Sequence, residues 1–173
     1  MKSTLIIYST TDGQTLEICQ KIFSSLNVSE SSKIIHILEA EKLDLNQFDK
    51  IIIGASIRYG KHKPELYEFI KTNIACLETK ENAFFSVNVV ARKPEKNTPE
   101  TNPYMQKFLE LSPWSPKKLA VFAGKIDYPK YKFIDKHMIR LIMWITKGPT
   151  NTKNTYEFTD WKTVDEFSKQ LNT

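Results

Sequence analysis

The sequence predicts an α/β fold built on a doubly wound, five-stranded parallel sheet. Short apolar runs typical of strands alternate along the chain with longer segments in which apolar residues recur about every 3.6 positions, as they do in helices. The run at residues 50–54 has an unbroken apolar centre, which is typical of a strand buried on both faces of a parallel sheet. The chain of 173 residues is long enough for a sizeable core, and we expect residues 1–173 to form a single domain.

The predicted strands are short runs enriched in β-branched and aromatic residues. A late run of this kind, residues 155–158, is expected to form a short additional strand. The strands assigned to the main sheet cover residues 4–8, 33–38, 50–54, 83–90 and 119–124.

The predicted helices lie between these strands. In the first helix, Leu16, Cys19, Phe23 and Leu26 keep the helical period, and the second helix begins at Pro64, since proline is favoured in a first turn. Because helices and strands alternate, the helices should cover both faces of the sheet. The five helices are expected at residues 13–26, 64–76, 103–111, 133–147 and 160–171.

The composition is that of an ordinary globular protein, with 40% hydrophobic and 26% charged residues. Its two cysteines, Cys19 and Cys76, fall in helical patterns without metal-ligand spacing, so we expect reduced thiols, no metal site and a cytoplasmic compartment. The chain runs directly into a strand, so no signal peptide is expected. No apolar stretch reaches the roughly 20 residues that would span a bilayer.

A hydroxyl-rich loop joins the first strand to the first helix. It lies at residues 8–15 and reads YSTTDGQT, with one glycine that permits close backbone approach. The free N–H groups of a helix N-terminus favour an anion, so the loop predicts a phosphate site. The alternative is a capped helix in which Asp12 accepts from the N–H of Gln14 or Thr15. The candidate phosphate ligands are Ser9, Thr10, Thr11, Asp12, Gly13, Gln14 and Thr15.

Two kinds of phosphate loop are excluded. A nucleoside-triphosphate loop needs a lysine for the outer phosphates, and no lysine lies between Lys2 and Lys21. A dinucleotide fingerprint needs three glycines, and this loop has one. What remains is a site for a single phosphate, and in this the loop resembles the flavodoxin loop that binds the phosphate of FMN. The predicted strands suit the flavodoxin order 2-1-3-4-5.

Two further loops should meet this one at the carboxyl edge of the sheet, where open α/β sheets bind ligands. A flavin needs an aromatic or apolar face and polar groups at its pyrimidine edge, so Tyr59 is expected to stack and Ser86 and Asn88 to bond that edge. His62 is either a proton donor or a polar surface residue. The candidate flavin ligands in these loops are Ala55, Ser56, Ile57, Arg58, Tyr59, Gly60, Ser86, Val87, Asn88, Ala91 and Arg92.

Four strings of the sequence carry a more specific resemblance: YSTTDGQT, IIIGASIRYGKHK, SVNVVARKPEKNTPETN and HMIRLIMWITKG. They resemble the menaquinone-dependent protoporphyrinogen IX dehydrogenases of bacteria, and the resemblance runs nearly end to end. It implies a flavodoxin-like fold with FMN, and six-electron oxidation of protoporphyrinogen IX to protoporphyrin IX in heme synthesis. Electrons would pass to a membrane quinone, menaquinone or ubiquinone. Arg58, Tyr59, His62 and Arg92 are catalytic candidates by placement alone.

A basic segment, residues 125–148, follows the fifth strand. Six basic residues against two acidic ones give residues 125–147 a net charge of +4, out of +5 for the chain. The predicted helix is too short to span a bilayer, so we expect it to lie as an amphipathic insert on an anionic membrane surface or against the porphyrinogen, with Tyr128 and Tyr131 at the interface. The alternative is a helix packed on its own sheet. The contact residues are Lys132, Lys136, Met138, Arg140, Leu141, Ile142, Trp144, Ile145 and Lys147.

Other functions stay open at this stage. A flavodoxin-type electron carrier is usually acidic, and this chain is basic. A nicotinamide-dependent quinone reductase would have to bind its nucleotide without a dinucleotide fingerprint. A membrane-binding module without flavin is a third possibility. Nucleic acid is a poor fit, because the charge lies in one segment without a binding motif.

Overall fold

The computed structural model of the protein describes all 173 residues. Its main sheet is parallel throughout, with the order β2-β1-β3-β4-β5, which confirms the predicted architecture. The strands are β1 Thr4–Ser9, β2 Lys33–His36, β3 Lys50–Ser56, β4 Glu81–Val87 and β5 Lys118–Phe122.

Helices pack on both faces of this sheet because side chains along each strand alternate in direction. Leu5 and Ile7 of β1 face a core shared with α2, α3 and α4, whereas Ile6 faces a core shared with α1 and α6. All three side chains are fully buried. The helices are α1 Gln14–Ser25, α2 Ile37–Ala40, α3 Pro64–Thr79, α4 Pro103–Leu111, α5 Phe133–Ile145 and α6 Trp161–Leu171.

Three predicted strands are too long at their carboxyl ends. The fifth, predicted to residue 124, stops at Phe122, and a side-chain cap ends each of the other two. The ring of His36 accepts from the N–H of Leu38 at 3.3 Å and starts the short helix α2, so the strand predicted at residues 33–38 stops at residue 36. Asn88 accepts from the N–H of Ala91 at 3.0 Å and starts a 3-10 helix, Val89–Arg92. The prediction of strand up to residue 90 is therefore wrong.

The basic segment continues the chain beyond the main sheet. It opens with β6, Lys125–Asp127, which pairs antiparallel with β7, Thr155–Glu157. The strand predicted at residues 155–158 is thus confirmed, whereas β6 was not predicted. Helix α5 lies between the two strands. No helix of the structure combines the length and the apolar character needed to cross a membrane.

Candidate functional site

A cavity of about 400 Å³ opens at the carboxyl edge of the main sheet. Its walls are the loops that follow β1, β3 and β4, together with β6 and one side of α5. The volume falls in the range of small-molecule sites. The predicted ligand residues that line it are Thr10, Thr11, Asp12, Gln14, Thr15, Ser56, Ile57, Arg58, Tyr59, Gly60, Val87, Asn88 and Arg92.

Five of the predicted cofactor ligands do not line this cavity. Ser9, Ala55, Ser86 and Ala91 are buried beneath the loops that form its walls. Gly13 does not line the cavity but allows the tight turn into α1, because it immediately precedes the helix and its φ of +89° lies in the left-handed region that favours glycine.

The N-terminus of α1 faces the cavity without a side-chain cap. The N–H of Gly13 donates to the Thr10 hydroxyl at 3.0 Å, whereas the N–H groups of Gln14 and Thr15 find no acceptor in the chain. The alternative in which Asp12 caps this helix is therefore wrong. Because these donors are free, the helix start can accept an anion.

Three buried polar side-chain atoms around this helix start have no hydrogen-bond partner: Thr15 Oγ1, Gln14 Oε1 and Ser56 Oγ. The Gln14 amide is held in place from its other end, because its Nε2 donates to Thr159 Oγ1 at 2.9 Å and to Glu157 Oε1 at 3.2 Å. Buried polar atoms are rarely left unpaired in proteins, so a ligand with both acceptor and donor oxygens fits here.

Asp12 turns towards Arg58 instead of the helix. Its carboxylate lies 2.9 Å from Arg58 Nη1 and accepts from the Tyr131 hydroxyl at 3.2 Å. The guanidinium sits between the Tyr59 and Tyr131 rings, 5.3 and 5.0 Å from their centroids. Burial lowers the pKa of Arg58, but Asp12, the two tyrosines and Asp135 together raise it above its ordinary value. The negative charge next to the anion site is thereby neutralised.

The tyrosines beside Arg58 link the loops to α5 and to the turn that precedes it. The Tyr59 hydroxyl donates to the carboxylate of Asp135. Tyr59 is also one of two non-glycine residues with a positive φ, which is +50°. Burial, followed by the charge of Asp12, raises the pKa of Tyr131 to about 12, so this hydroxyl stays protonated at neutral pH. The Tyr59 ring, which was expected to stack on a flavin, lines the cavity and packs against Arg58.

His62 lies away from the cavity, and the expectation of a surface residue is wrong. It is 3% exposed, its Nε2 lies 3.1 Å from Ser86 Oγ, and Phe84 and Phe108 pack edge-on against its ring. Burial lowers its pKa to about 4. At neutral pH the ring is therefore neutral.

The loop after β4 is closed at its base by two asparagines. Asn88 Nδ2 donates to Asn102 Oδ1 at 3.3 Å, and Asn102 Nδ2 donates to Asn88 Oδ1 at 3.1 Å. Asn88 also donates to Ser86 Oγ at 3.3 Å. The side chains expected to bond a flavin edge are thus occupied in holding the loop, although Asn88 still lines the cavity.

Arg92 joins this loop to the end of α5. Its Nη2 donates to the carbonyl oxygen of Thr146 at 2.9 Å and to the Thr146 hydroxyl at 3.2 Å, and its Nη1 donates to the carbonyl oxygen of Val89 at 3.1 Å. The guanidinium lies 5.9 Å from the centre of the Phe158 ring. Burial lowers the pKa of Arg92. The arginine carries its charge next to the cavity without an acidic partner.

Helix α5 packs through residues that the sequence analysis did not select. Ile139 and Met143, spaced i and i+4, are the buried pair and line the cavity. The predicted apolar contact residues Met138, Leu141, Ile142, Trp144 and Ile145 are exposed. Tyr128 was expected at a membrane interface, but it is buried and donates to the carbonyl oxygen of Pro149 at 2.8 Å. The cavity residues that were not predicted are Val89, Val90, Tyr104, Gly124, Lys125, Ile126, Tyr131, Ile139, Met143 and Thr146.

Comparison with known proteins shows the family of the chain. The flavodoxin domain family matches residues 5–153. Over 169 residues the chain is 42% identical to the protoporphyrinogen IX dehydrogenase [quinone] of Escherichia coli (strain K12), a match that covers 97% of this chain and 93% of that protein. The chain belongs to this dehydrogenase family of flavodoxin domains. Only a few residues of this chain lie outside the 169-residue alignment with the Escherichia coli dehydrogenase, too few to make up the basic segment of residues 125–148. The aligned region therefore includes the basic segment.

A second member of the dehydrogenase family, from Leishmania major, is 39% identical, with 96% of this chain and 73% of that protein covered. Among solved structures, flavodoxin 1 from Bacillus cereus superposes with a TM-score of 0.53 at 15% identity, covering 98% of this chain and 96% of that one. At that identity the superposition shows the shared fold.

Proposed function

We propose that this protein is an FMN-dependent protoporphyrinogen IX dehydrogenase that passes electrons to a quinone. The observation that carries the proposal is the 42% identity to a dehydrogenase of that name over 97% of this chain, a match that includes the segment forming one wall of the cavity. Removing six electrons and six protons from protoporphyrinogen IX gives protoporphyrin IX and reduces three quinones to quinols.

The residues at the helix start fit FMN. The free N–H groups of Gln14 and Thr15 and the unpartnered Thr15 hydroxyl are donors for a phosphate. Gln14 Oε1 is an acceptor for a hydroxyl of the ribityl chain, and Ser56 Oγ can serve the ring or the chain. When bound, FMN supplies the two-electron redox chemistry of its isoalloxazine ring.

The chain's own part in the reaction is to bind, to orient and to exclude water. Val89, Ile126, Ile142 and Met143 present apolar side chains to the cavity and suit a lipophilic macrocycle. Asp12 is the one carboxylate that lines the cavity, and Arg58 already holds it. The lining contains no histidine, so we assign the protons released on oxidation to solvent.

An anaerobic mixing experiment tests the function. FMN-loaded protein is mixed with protoporphyrinogen IX at three or more equivalents of FMN per porphyrinogen, because each FMN takes up two of the six electrons, and the visible spectrum is recorded. Bleaching of the flavin band together with growth of porphyrin absorbance is expected. An unchanged flavin band, in a sample that dithionite does reduce, would contradict the proposal and favour an electron carrier. Reduction by NADH or NADPH alone would favour a nicotinamide-dependent quinone reductase.

The outer face of α5 is proposed to rest on an anionic membrane, where a quinone resides. Phe133, Ile134 and Trp144 are each more than 70% exposed, although large apolar side chains usually lie inside. Arg140 of the same helix and Lys132, the residue immediately before its first turn, are also exposed. An apolar face flanked by cations matches a surface of anionic headgroups, where each basic residue adds about 1 kcal/mol.

Vesicle sedimentation tests this contact. The double variant Lys132→Gln/Arg140→Gln should bind phosphatidylglycerol-containing vesicles at least tenfold more weakly than the wild type, because two charges contribute about 2 kcal/mol. Lys162→Gln/Lys169→Gln, which removes two charges from the exposed side of α6, is the matched control and should bind normally. Equal binding by the double variant and the wild type would contradict membrane docking through α5.

A further inference from the structure

Three cationic side chains line the cavity, and they differ in how their charge is balanced. Arg58 Nη1 lies 2.9 Å from an Asp12 carboxylate oxygen, and Lys125 Nζ lies 3.2 Å from Glu17 Oε1. Arg92 makes no ion pair with any carboxylate of the chain and bonds only to neutral oxygens. It is the one unbalanced positive charge among the side chains that line the cavity.

The Arg92 guanidinium is also held in a fixed position. Val89 binds one of its terminal nitrogens and Thr146 the other, from two different sides of the cavity. A guanidinium has five N–H donors, and these contacts leave donors free for a ligand. A charge held in place loses little conformational freedom when an anion arrives, which favours binding.

We propose that Arg92 forms a carboxylate subsite of the cavity, which binds a propionate of the porphyrinogen. This inference rests on the proposed function, because the substrate of that reaction is an apolar macrocycle that carries two propionates. Arginine recognises a carboxylate through paired N–H···O bonds, a geometry that lysine lacks. Ile142 and Met143, near Thr146 in sequence, supply the apolar wall against which the macrocycle would rest.

The subsite is tested by comparing ligands with and without the carboxylates. FMN-loaded protein is titrated with protoporphyrin IX and with its dimethyl ester, in the same detergent, and porphyrin fluorescence reports binding. The wild type should prefer the diacid by about tenfold or more, as expected for a hydrogen-bonded charge pair. Arg92→Gln should abolish this preference by lowering diacid affinity more than ester affinity, and Arg92→Lys should keep part of it. Lys93→Gln removes a charge from the neighbouring position, which does not line the cavity, and should keep the full preference.

Two results would overturn the subsite. One is a wild-type protein that binds diacid and ester equally. The other is an Arg92→Gln protein in which both affinities fall by the same factor, because a purely structural role through Thr146 would not distinguish the ligands. If Arg92→Gln fails to fold, the wild type and Arg92→Lys still decide the question: a Lys variant with the full wild-type preference would overturn the paired-bond geometry. Turnover of protoporphyrinogen IX is measured on the same wild-type preparation. Its absence removes the proposed function, and the ratio of diacid to ester affinity still reports on Arg92.

Discussion

The hydroxyl of Thr15 provides a test in which stability and cofactor affinity should respond differently. This side chain is fully buried at the start of α1, and its Oγ1 has no hydrogen-bond partner. An unsatisfied buried hydroxyl costs about 1–3 kcal/mol. Thr15→Val replaces the hydroxyl by a methyl group of similar shape, so the free energy of unfolding of the FMN-free protein should stay the same or rise by about 1 kcal/mol.

The same substitution should weaken FMN binding. A hydrogen bond to a charged group contributes about 1.5–3 kcal/mol. Since 1.4 kcal/mol corresponds to a factor of ten, the Kd for FMN should rise by about 10- to 100-fold. Quenching of FMN fluorescence on titration measures the Kd, and urea denaturation of the FMN-free protein measures the free energy of unfolding.

Thr10→Val is the contrasting variant, because the Thr10 hydroxyl accepts from the Gly13 N–H at 3.0 Å. Its loss should destabilise the FMN-free protein by about 1 kcal/mol. A Thr15→Val protein that is clearly less stable than the wild type and binds FMN with wild-type affinity would refute the assignment of Thr15 to the phosphate.

Three further predictions follow from the contacts described above. Arg58→Met leaves the Asp12 carboxylate without its ion-pair partner beside the phosphate site, so FMN affinity should fall by about fivefold for roughly 1 kcal/mol of repulsion. Adding Asp12→Asn removes the repelling charge and should restore the affinity. Fluorescence titration of both proteins checks this, and a double variant whose affinity is not restored would contradict it. The pKa of His62 is about 4 in the folded protein and about 6.5 in the unfolded chain, so the folded protein resists protonation of this ring. The free energy of unfolding should therefore be complete above pH 6.5 and fall by about 3 kcal/mol towards pH 4. Urea unfolding across this range should show a weaker dependence of stability on pH for His62→Gln, and an equal dependence would count against the burial of a neutral ring. A Cβ at Gly54 would overlap the buried Phe85 ring, so Gly54→Ala should lower the free energy of unfolding by about 1–3 kcal/mol, measured by thermal unfolding. In the background of Phe85→Leu the same substitution should cost less. A Gly54→Ala protein with wild-type stability would contradict the overlap, because the ring would then move aside freely.

The fold could be predicted from the sequence because its signals are local and repeated. The helical period of α1 and the unbroken apolar centre of β3 each report burial directly. The strand ends were less predictable, since a single side chain decides them: His36 and Asn88 each offer an acceptor that starts a helical turn. Such a residue has the same identity whether its side chain caps a turn or faces solvent.

The candidate site was predicted in its loops but not in its contacts. The rule that ligands bind at the carboxyl edge of a parallel sheet placed Thr15, Ser56 and Arg92 at one cavity. The pairing of Asp12 with Arg58 joins residues 46 positions apart, which no local spacing encodes. The buried side of α5 was also misjudged, because apolar residues surround this helix and only its packing shows that Ile139 faces inward.

The two asparagines at the base of the loop after β4 divide the loop into an anchored part and a part beyond the anchor. Their reciprocal amide bonds fasten residues 88 and 102 to each other, and the backbone of Asn88 is tied to Phe122 and Gly124 of the neighbouring strand end. Arg92 lies near the fastened end, whereas residues 93–101 form an excursion beyond it. The reciprocal amide bonds therefore set the position of the arginine at the anchored end of the loop, independently of the course that residues 93–101 take beyond it.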